Sequence, residues 1–261
     1  MIFLADEKMD LKDFDLDRYD RQKRVKGWSQ DKVKNSRVLV IGAGALGNEV
    51  IKMLAQLGVG KIAVVDFDFV IPANLNRCVL FDESHASRKV LKVQAVKESV
   101  AKLNRDCIIE GFEKKAEDLN ESFFRGFDIV FGCLDNLSAR LHVNANCYGF
   151  VPFIDGGTDG FNGRVQFVFK TACLECTVAK NDFTNALKRY SCSGEKKEVE
   201  EEKIPALPTT TSIIAGVQVQ GFLKFVLTGV LDDGVVFYDG LINKTSFFDV
   251  EKNIKCNVHF A

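Results

Sequence analysis

The chain has 261 residues, of which 46% are hydrophobic and 27% charged, with a formal net charge of −1. That length suits one large domain or two small ones with a sizeable core, and the composition is that of an ordinary globular protein. Near-neutral charge offers no field to gather nucleic acid or an anionic membrane, so neither is expected as a partner.

The opening residues, MIFLADEKMD, carry neither a basic start nor a long apolar run, and no signal peptide is expected. No uninterrupted apolar stretch approaches the roughly 20 residues of a membrane span. Eight cysteines lie scattered along the chain. Without the dense spacing of a disulfide scaffold they suggest a reducing, cytoplasmic compartment, where cysteines serve metal, catalysis or core.

Residues 1–35, which include the basic run RQKRVK, read as an N-terminal helical arm, and 36–261 as one domain. RVLVI at 37–41 is a short apolar strand that runs into a glycine turn and then a helix to about Leu57. KIAVVDFD is a second strand. Residues 86–104 form an expected amphipathic helix, with Val90, Val93, Val96 and Val100 at helical spacing. DCIIEGF and FDIVFGCL are further strands, SARLHVNANCYGF a helix and VPFID a strand. This alternation is the signature of an α/β fold, a Rossmann-like, doubly wound, mostly parallel sheet. After Gly163 the strands RVQFVF, GVVFYDG and TSFFDV surround one clear helix at 209–227, which suggests a smaller antiparallel extension of the sheet. Between them, GEKKEVEEEK has the composition of a solvated loop.

Gly42, Gly44 and Gly47 form G-x-G-x-x-G after a strand and at the mouth of a helix. Such a turn lets backbone approach phosphates, and the helix N-terminus favours their charge. Asp66 ends the second strand, where a carboxylate meets ribose hydroxyls. Alone, this set suits NAD, FAD, S-adenosylmethionine or ATP, or a tight turn with no ligand. Asn74, Asn76 and Arg77 follow on the same edge, Lys92 lies in the next helix, and Asp135 follows the fourth strand. Two cations and a carboxylate at one edge suit a reaction at phosphate better than hydride transfer.

A second constellation lies toward the C-terminus. Cys173 and Cys176 have C-x-x-C spacing, and Cys256 and His259 repeat the gap. Two such pairs can close a tetrahedral Cys₃His structural zinc site that pins the last strand to the sheet. A redox dithiol is the alternative for the first pair, but no helix N-terminus in a βαβ unit supports it. Cys107, Cys133 and Cys147 read as core residues, and His85 and His142 have no partner spacing.

RYDRQ, GAGALG, DFDFV…NLNR, LKVQA and CLDNLSAR, in that order and spacing, resemble the ubiquitin-activating enzyme family. That family also includes the sulfur-carrier adenylyltransferases of molybdopterin and thiamine synthesis. The resemblance covers nearly the whole chain and implies a homodimeric enzyme that uses ATP and Mg²⁺ to adenylate the C-terminus of a ubiquitin-like protein. It implies that Asp66 binds ribose, that Arg77 and Lys92 bind phosphates, and that Asp135 holds Mg²⁺ with Asn136 beside it. Arg21 would reach the phosphates from the partner subunit. One departure is Cys78, which stands where the family usually has Gln after N-x-x-R.

LPTTTSIIAGVQVQGFLKFVL is similar to the region after the crossover loop of compact ubiquitin-fold-modifier activating enzymes. There the catalytic cysteine lies a few residues ahead of Leu-Pro-Thr-Thr; here Lys203 and Ile204 occupy that distance. Cys192 is the next thiol upstream, within an expected crossover loop at about 177–208, and the resemblance makes it the thioester nucleophile. Delivery to a conjugating enzyme would follow. The rival readings are an adenylyltransferase for a sulfur carrier that needs no thioester, a non-catalytic partner subunit, and an NAD oxidoreductase.

Overall fold

The molecule, described by a computed structural model over residues 17–178 and 205–259, is organised by five parallel strands. These are β1 (Arg37–Ile41), β2 (Lys61–Val65), β3 (Ile108–Phe112), β4 (Ile129–Gly132) and β5 (Phe153–Asp159). β6 (Asn162–Val168), β7 (Gly234–Asp239) and β8 (Lys244–Phe248) continue the same sheet by antiparallel pairing. The strand order is β3-β2-β1-β4-β5-β6-β7-β8, so the chain switches direction between β1 and β4. In open α/β sheets a ligand crevice forms at that switch, outside the carboxyl ends of the strands.

The continuous apolar runs of the central strands follow from burial on both faces. On β1, Val38 and Val40 belong to one core, while Leu39 and Ile41 belong to the other. The first core packs under α3 (Ala45–Leu57), α5 (Lys92–Leu103) and the long helix Pro208–Thr228; the second lies under α6 (Glu121–Phe124) and α7 (Leu137–Cys147). The arm contributes α1 (Asp20–Lys23) and α2 (Gln30–Asn35). It is tied to the sheet's far edge, where the Arg18 guanidinium donates to Leu103 O at 3.1 Å and Asn104 Nδ2 to the Tyr19 hydroxyl at 2.8 Å.

The helix expected over 86–104 is broken in two. A short α4 (Glu83–Ser87) ends first, and α5 begins only at Lys92. Lys89 takes the left-handed conformation, φ 50°, and the following residues lie against the chain after β2. There Val70 N–H donates to Val90 O at 2.8 Å and Lys92 N–H to Asp68 O at 2.8 Å. This pairing overrides the helical spacing of Val90 and places Lys92 in the first turn of α5, at the mouth of the crevice.

Between α7 and the final helix lies α8 (Leu174–Thr177), and the helix Pro208–Thr228 is α9. By length and composition alone α9 could cross a membrane, although no apolar run of that length stands out in the sequence. Here it packs against α3, β5 and β6 and buries Ile214, Ala215, Val219 and Phe222. Gln218, fully buried on the same face, donates from Nε2 to Gly132 O at 3.1 Å and Ile154 O at 2.9 Å. Cys107, Cys133 and Cys147 are buried, as expected, and Cys78 joins them in the core. Burial pushes the Cys78 thiol up to about 11 and that of Cys107 to about 12.

Candidate functional site

A cavity of about 1760 Å³ opens at the carboxyl ends of β1, β2 and β4 and continues along β5 to β8. Its floor is the glycine turn, and the three glycines there have different work. Gly42 has φ 93°, and a Cβ on it would lie 2.5 Å from Cys133 O, on the neighbouring strand's exit. A Cβ on Gly47 would lie 1.9 Å from Gly42 O, so it holds α3 tight against the turn. A Cβ on Gly44 would meet no atom of the described residues within 4 Å, and Gly44 lines the cavity. The open space over Gly44 is therefore space for a ligand's backbone-close group, of the kind a phosphate occupies. Asn48, fully buried, pins the turn: its Nδ2 donates to Ala43 O at 2.7 Å and its Oδ1 accepts from Leu80 N–H at 2.9 Å.

Asp66 and Lys92 meet beside this floor. Asp66 Oδ2 accepts from Ala43 N–H at 2.7 Å and Oδ1 from Asp68 N–H at 2.8 Å, so the carboxylate is locked to the turn. Lys92 Nζ lies 2.7 Å from Asp68 Oδ2 and 3.9 Å from Asp66 Oδ2. Burial raises the Asp66 pKa, with Lys92 and the two N–H donors opposing it. For Lys92, burial favours the neutral amine, but Asp66 and Asp68 outweigh it and hold the pKa above its ordinary value. The site thus keeps a desolvated cation, which attracts anions more strongly than a hydrated one.

The structure brings Asn74, Arg77, Asp135 and Asn136 to the same cavity. Arg77 folds over its own turn, donating to Asn76 Oδ1 at 2.9 Å. Asn74 Oδ1 accepts from Ile71 N–H at 3.1 Å, and Asn136 Oδ1 caps α7 through Ala139 N–H at 2.8 Å. Their acceptor oxygens are therefore used locally. Asp135 is exposed and forms no ion pair among the described residues. Arg21, on α1, is not among the residues that line its own chain's cavity. Cys192 and most of the expected crossover loop lie outside the described residues.

Three charged residues of the cavity region carried no mark in the sequence. Arg140 reaches back from α7 to Asp155 on β5, with Nε 3.0 Å from Oδ1 and a second contact to Oδ2. Asp155 is fully buried, so the pair is neutral and internal. Arg164, on β6, donates to Gln166 Oε1 at 2.9 Å, while its Nε has no partner among the described residues. Burial lowers its pKa, with Asp155 opposing. Arg140 and Arg164 thus bring two guanidinium groups to this end of the cavity, which Asp159 and Asp239 also line.

The second constellation also assembles. Cys173, Cys176, Cys256 and His259 place their ligand atoms within 4.8 Å of one another. Cys173 Sγ lies 3.4 Å from Cys256 Sγ and 3.9 Å from Cys176 Sγ, and Cys176 Sγ lies 3.5 Å from His259 Nε2. A tetrahedral ion with metal–sulfur bonds of about 2.3 Å spaces its sulfurs by roughly 3.8 Å. The donor set and its spacing therefore fit a four-coordinate ion with no position left open. Asn253 N–H points at Cys176 Sγ from 3.4 Å, the geometry of an amide that supports a metal-bound thiolate. Without an ion the Cys173 and Cys256 thiols are disfavoured as anions. Burial pushes Cys173 and Cys256 up, and for Cys173 its neighbour Cys256 adds to the effect. His259 is pushed down by burial and then by Lys252, and so is held neutral, with a lone pair to offer. The described cysteines are all free thiols.

Comparison with known proteins places this geometry. A model of the ThiF family matches residues 16–258. SUMO-activating enzyme subunit 2 of Dictyostelium discoideum is 39% identical over 151 residues, covering 56% of this chain and 22% of that protein. The NEDD8-activating enzyme E1 catalytic subunit of Caenorhabditis elegans is 35% identical over 164 residues, covering 56% of this chain and 37% of that one. The chain thus matches well under half the length of these curated relatives. Among solved structures, E. coli MccB with ATP is similar with a TM-score of 0.76, covering 95% of this chain and 75% of that chain. At 21% identity that likeness is one of fold.

Proposed function

The chain belongs to the ThiF family, and from that premise we propose that it activates the C-terminal carboxylate of a ubiquitin-like protein with ATP. The observation that carries this reading is the open floor over Gly44, flanked by the locked Asp66–Lys92 pair with Arg77 and Asp135 at the rim. The names of the relatives, SUMO- and NEDD8-activating enzymes, support the choice of substrate class.

Bound Mg²⁺–ATP supplies an electrophilic α-phosphorus with pyrophosphate as leaving group. The tail carboxylate forms the new oxygen–phosphorus bond as the bond to pyrophosphate breaks. In this reading Asp66 accepts from the ribose hydroxyls, which its fixed carboxylate suits because each oxygen keeps a free lone pair. Lys92 and Arg77 meet charge that develops on the phosphates, Arg77 by unfolding from its contact with Asn76. Asp135 holds Mg²⁺. Such preorganised charge typically contributes a hundredfold or more per group. Arg21 acts on the cavity of a second copy, in a homodimer.

The acyl adenylate then passes to Cys192. Its thiolate attacks the carbonyl carbon, AMP leaves, and the thioester is delivered to a conjugating enzyme. Support for this step is the order of motifs around Cys192 and the likeness to modifier-activating enzymes. The second reading is an adenylyltransferase that serves a sulfur carrier and stops at the adenylate. Its support is that the cavity residues assigned to adenylation, Asp66, Arg77, Lys92 and Asp135, lie together without any part played by Cys192. The Cys₃His cluster is read as a structural Zn²⁺ centre that ties the C-terminal segment to α8.

The test is pyrophosphate exchange with ATP in the presence of candidate ubiquitin-like proteins, followed by a non-reducing gel. Exchange that depends on one such protein, with a reducible adduct lost in Cys192→Ala, supports the full reading. Exchange without an adduct supports the second. Binding of NADH in place of ATP sinks both.

A further inference from the structure

Asn144 is fully buried on α7 and stands at the join of the two halves of the fold. Its Oδ1 accepts from Leu174 N–H at 2.9 Å, which starts α8 inside the Cys173–Cys176 turn. Its Nδ2 has no hydrogen-bond partner among the described residues. A buried N–H left unpaired is costly, and proteins rarely leave one so. Leu174 directly follows Cys173, the N-cap of α8, so the orphan amide lies at the turn that presents this ligand. A thiol is a weak acceptor, whereas a metal-bound thiolate is a good one. One turn further along α7, Tyr148 stacks on His259 with ring centroids 4.8 Å apart. The same helix end thus reaches both halves of the cluster.

We propose that Asn144 is a positioning residue of the metal centre, with Nδ2–H donating to the Cys173 thiolate once a metal is bound. The orphan amide and the four-ligand cluster then explain each other: the ion ionises Cys173, and the thiolate satisfies the amide. This rests on the reading of the Cys₃His cluster as a metal centre.

The full-length protein tests it by chelator competition for Zn²⁺ and by the thiolate-to-metal absorption of the Co²⁺ form. Asn144→Asp keeps an oxygen that accepts from Leu174 N–H but exchanges the donor for a carboxylate oxygen, and Asn144→Leu, of similar volume and uncharged, removes the donor without adding charge; both variants are measured. The expected result is about 10–100-fold weaker Zn²⁺ binding, the usual effect of losing such a contact, with a displaced Co²⁺–thiolate band. Unchanged affinity and spectrum in a folded variant overturn the proposal. A second measurement needs no variant: in ¹¹³Cd-loaded wild-type protein, a through-bond coupling should join cadmium to an Asn144 side-chain amide proton. Its absence likewise overturns the role of Asn144. If wild-type protein takes up none of these ions, the metal reading itself fails and the inference falls with it.

Discussion

The two ends of α7 carry opposite kinds of site. At its start, Asn136 caps the helix beside a cavity whose charges are held by local contacts and whose floor is bare. At its end, Asn144 and Tyr148 sit beside four ligand atoms gathered within 4.8 Å of one another. An open site with preset charges can bind and transform; a closed tetrahedral set can only hold. The difference predicts that damage at the first end is lost activity in a folded protein, and damage at the second is lost structure.

The most severe break of that contrast is at the floor itself. Gly47→Ala would force a Cβ to within 1.9 Å of Gly42 O, and should cost about 3 kcal/mol or more in urea unfolding, at the upper end for overpacking. Gly44→Ala meets no atom of the described residues within 4 Å. It should unfold within about 1 kcal/mol of wild type yet lose most of its nucleotide binding, measured by calorimetry. Equal effects from the two substitutions would remove the distinction between a packing glycine and a ligand-facing one.

Arg77→Ala comes next. Among the described residues its guanidinium bonds only within its own turn, to Ala73 O and Asn76, so stability should hold while pyrophosphate exchange falls by about a hundredfold. Removal of metal is the reciprocal test. Chelation should lower the unfolding temperature by several degrees, consistent with a loss of about 2 kcal/mol, and should expose residues 253–259 to hydrogen exchange. With a zinc-selective chelator and Mg²⁺ in excess, a protein whose exchange activity collapses with no change in unfolding would reverse the assignment of the two ends.

The smallest expected effect is with pH. Burial raises Asp66 above its ordinary value of 3.8, so protonation should begin weakening nucleotide binding at a higher pH than for an exposed aspartate. The stability contribution has the opposite sign. A carboxylate whose native pKa lies above its unfolded one favours the fold when protonated, and this contribution is lost as pH rises through the native pKa. Less than tenfold weaker nucleotide binding is expected between pH 7 and pH 5, with a flatter profile in Asp66→Asn.

Much of the fold was legible because its signals are local. The strand at 37–41, the turn and the helix that ends at Leu57 follow from an apolar run, three glycines and a left-handed Gly58 at φ 85° that caps the helix. The start of α5 was not legible. Helical spacing in 86–91 gives way to pairing with 68–70, a contact across sequence that no local pattern encodes. The same holds for Arg140 with Asp155 and for Arg164. Each is unremarkable in its own segment, and only burial against its neighbours gives it weight.

By itself the sequence determined which chemistry was available: glycines before a helix, Asp66 after a strand, two cations, and two cysteine-containing pairs at matching gaps. Those are properties of residue type and spacing, and they survive without coordinates. Tertiary structure decided which groups meet and how they are charged. Lys92 stays protonated because it lies beside Asp66 and Asp68. Cys173 reaches Cys256 across 83 positions, and an amide on α7, bonded through its oxygen to Leu174, is left without an acceptor among the described residues. Sequence separation says nothing of such distances; the packing of α7, α8 and the last residues sets them.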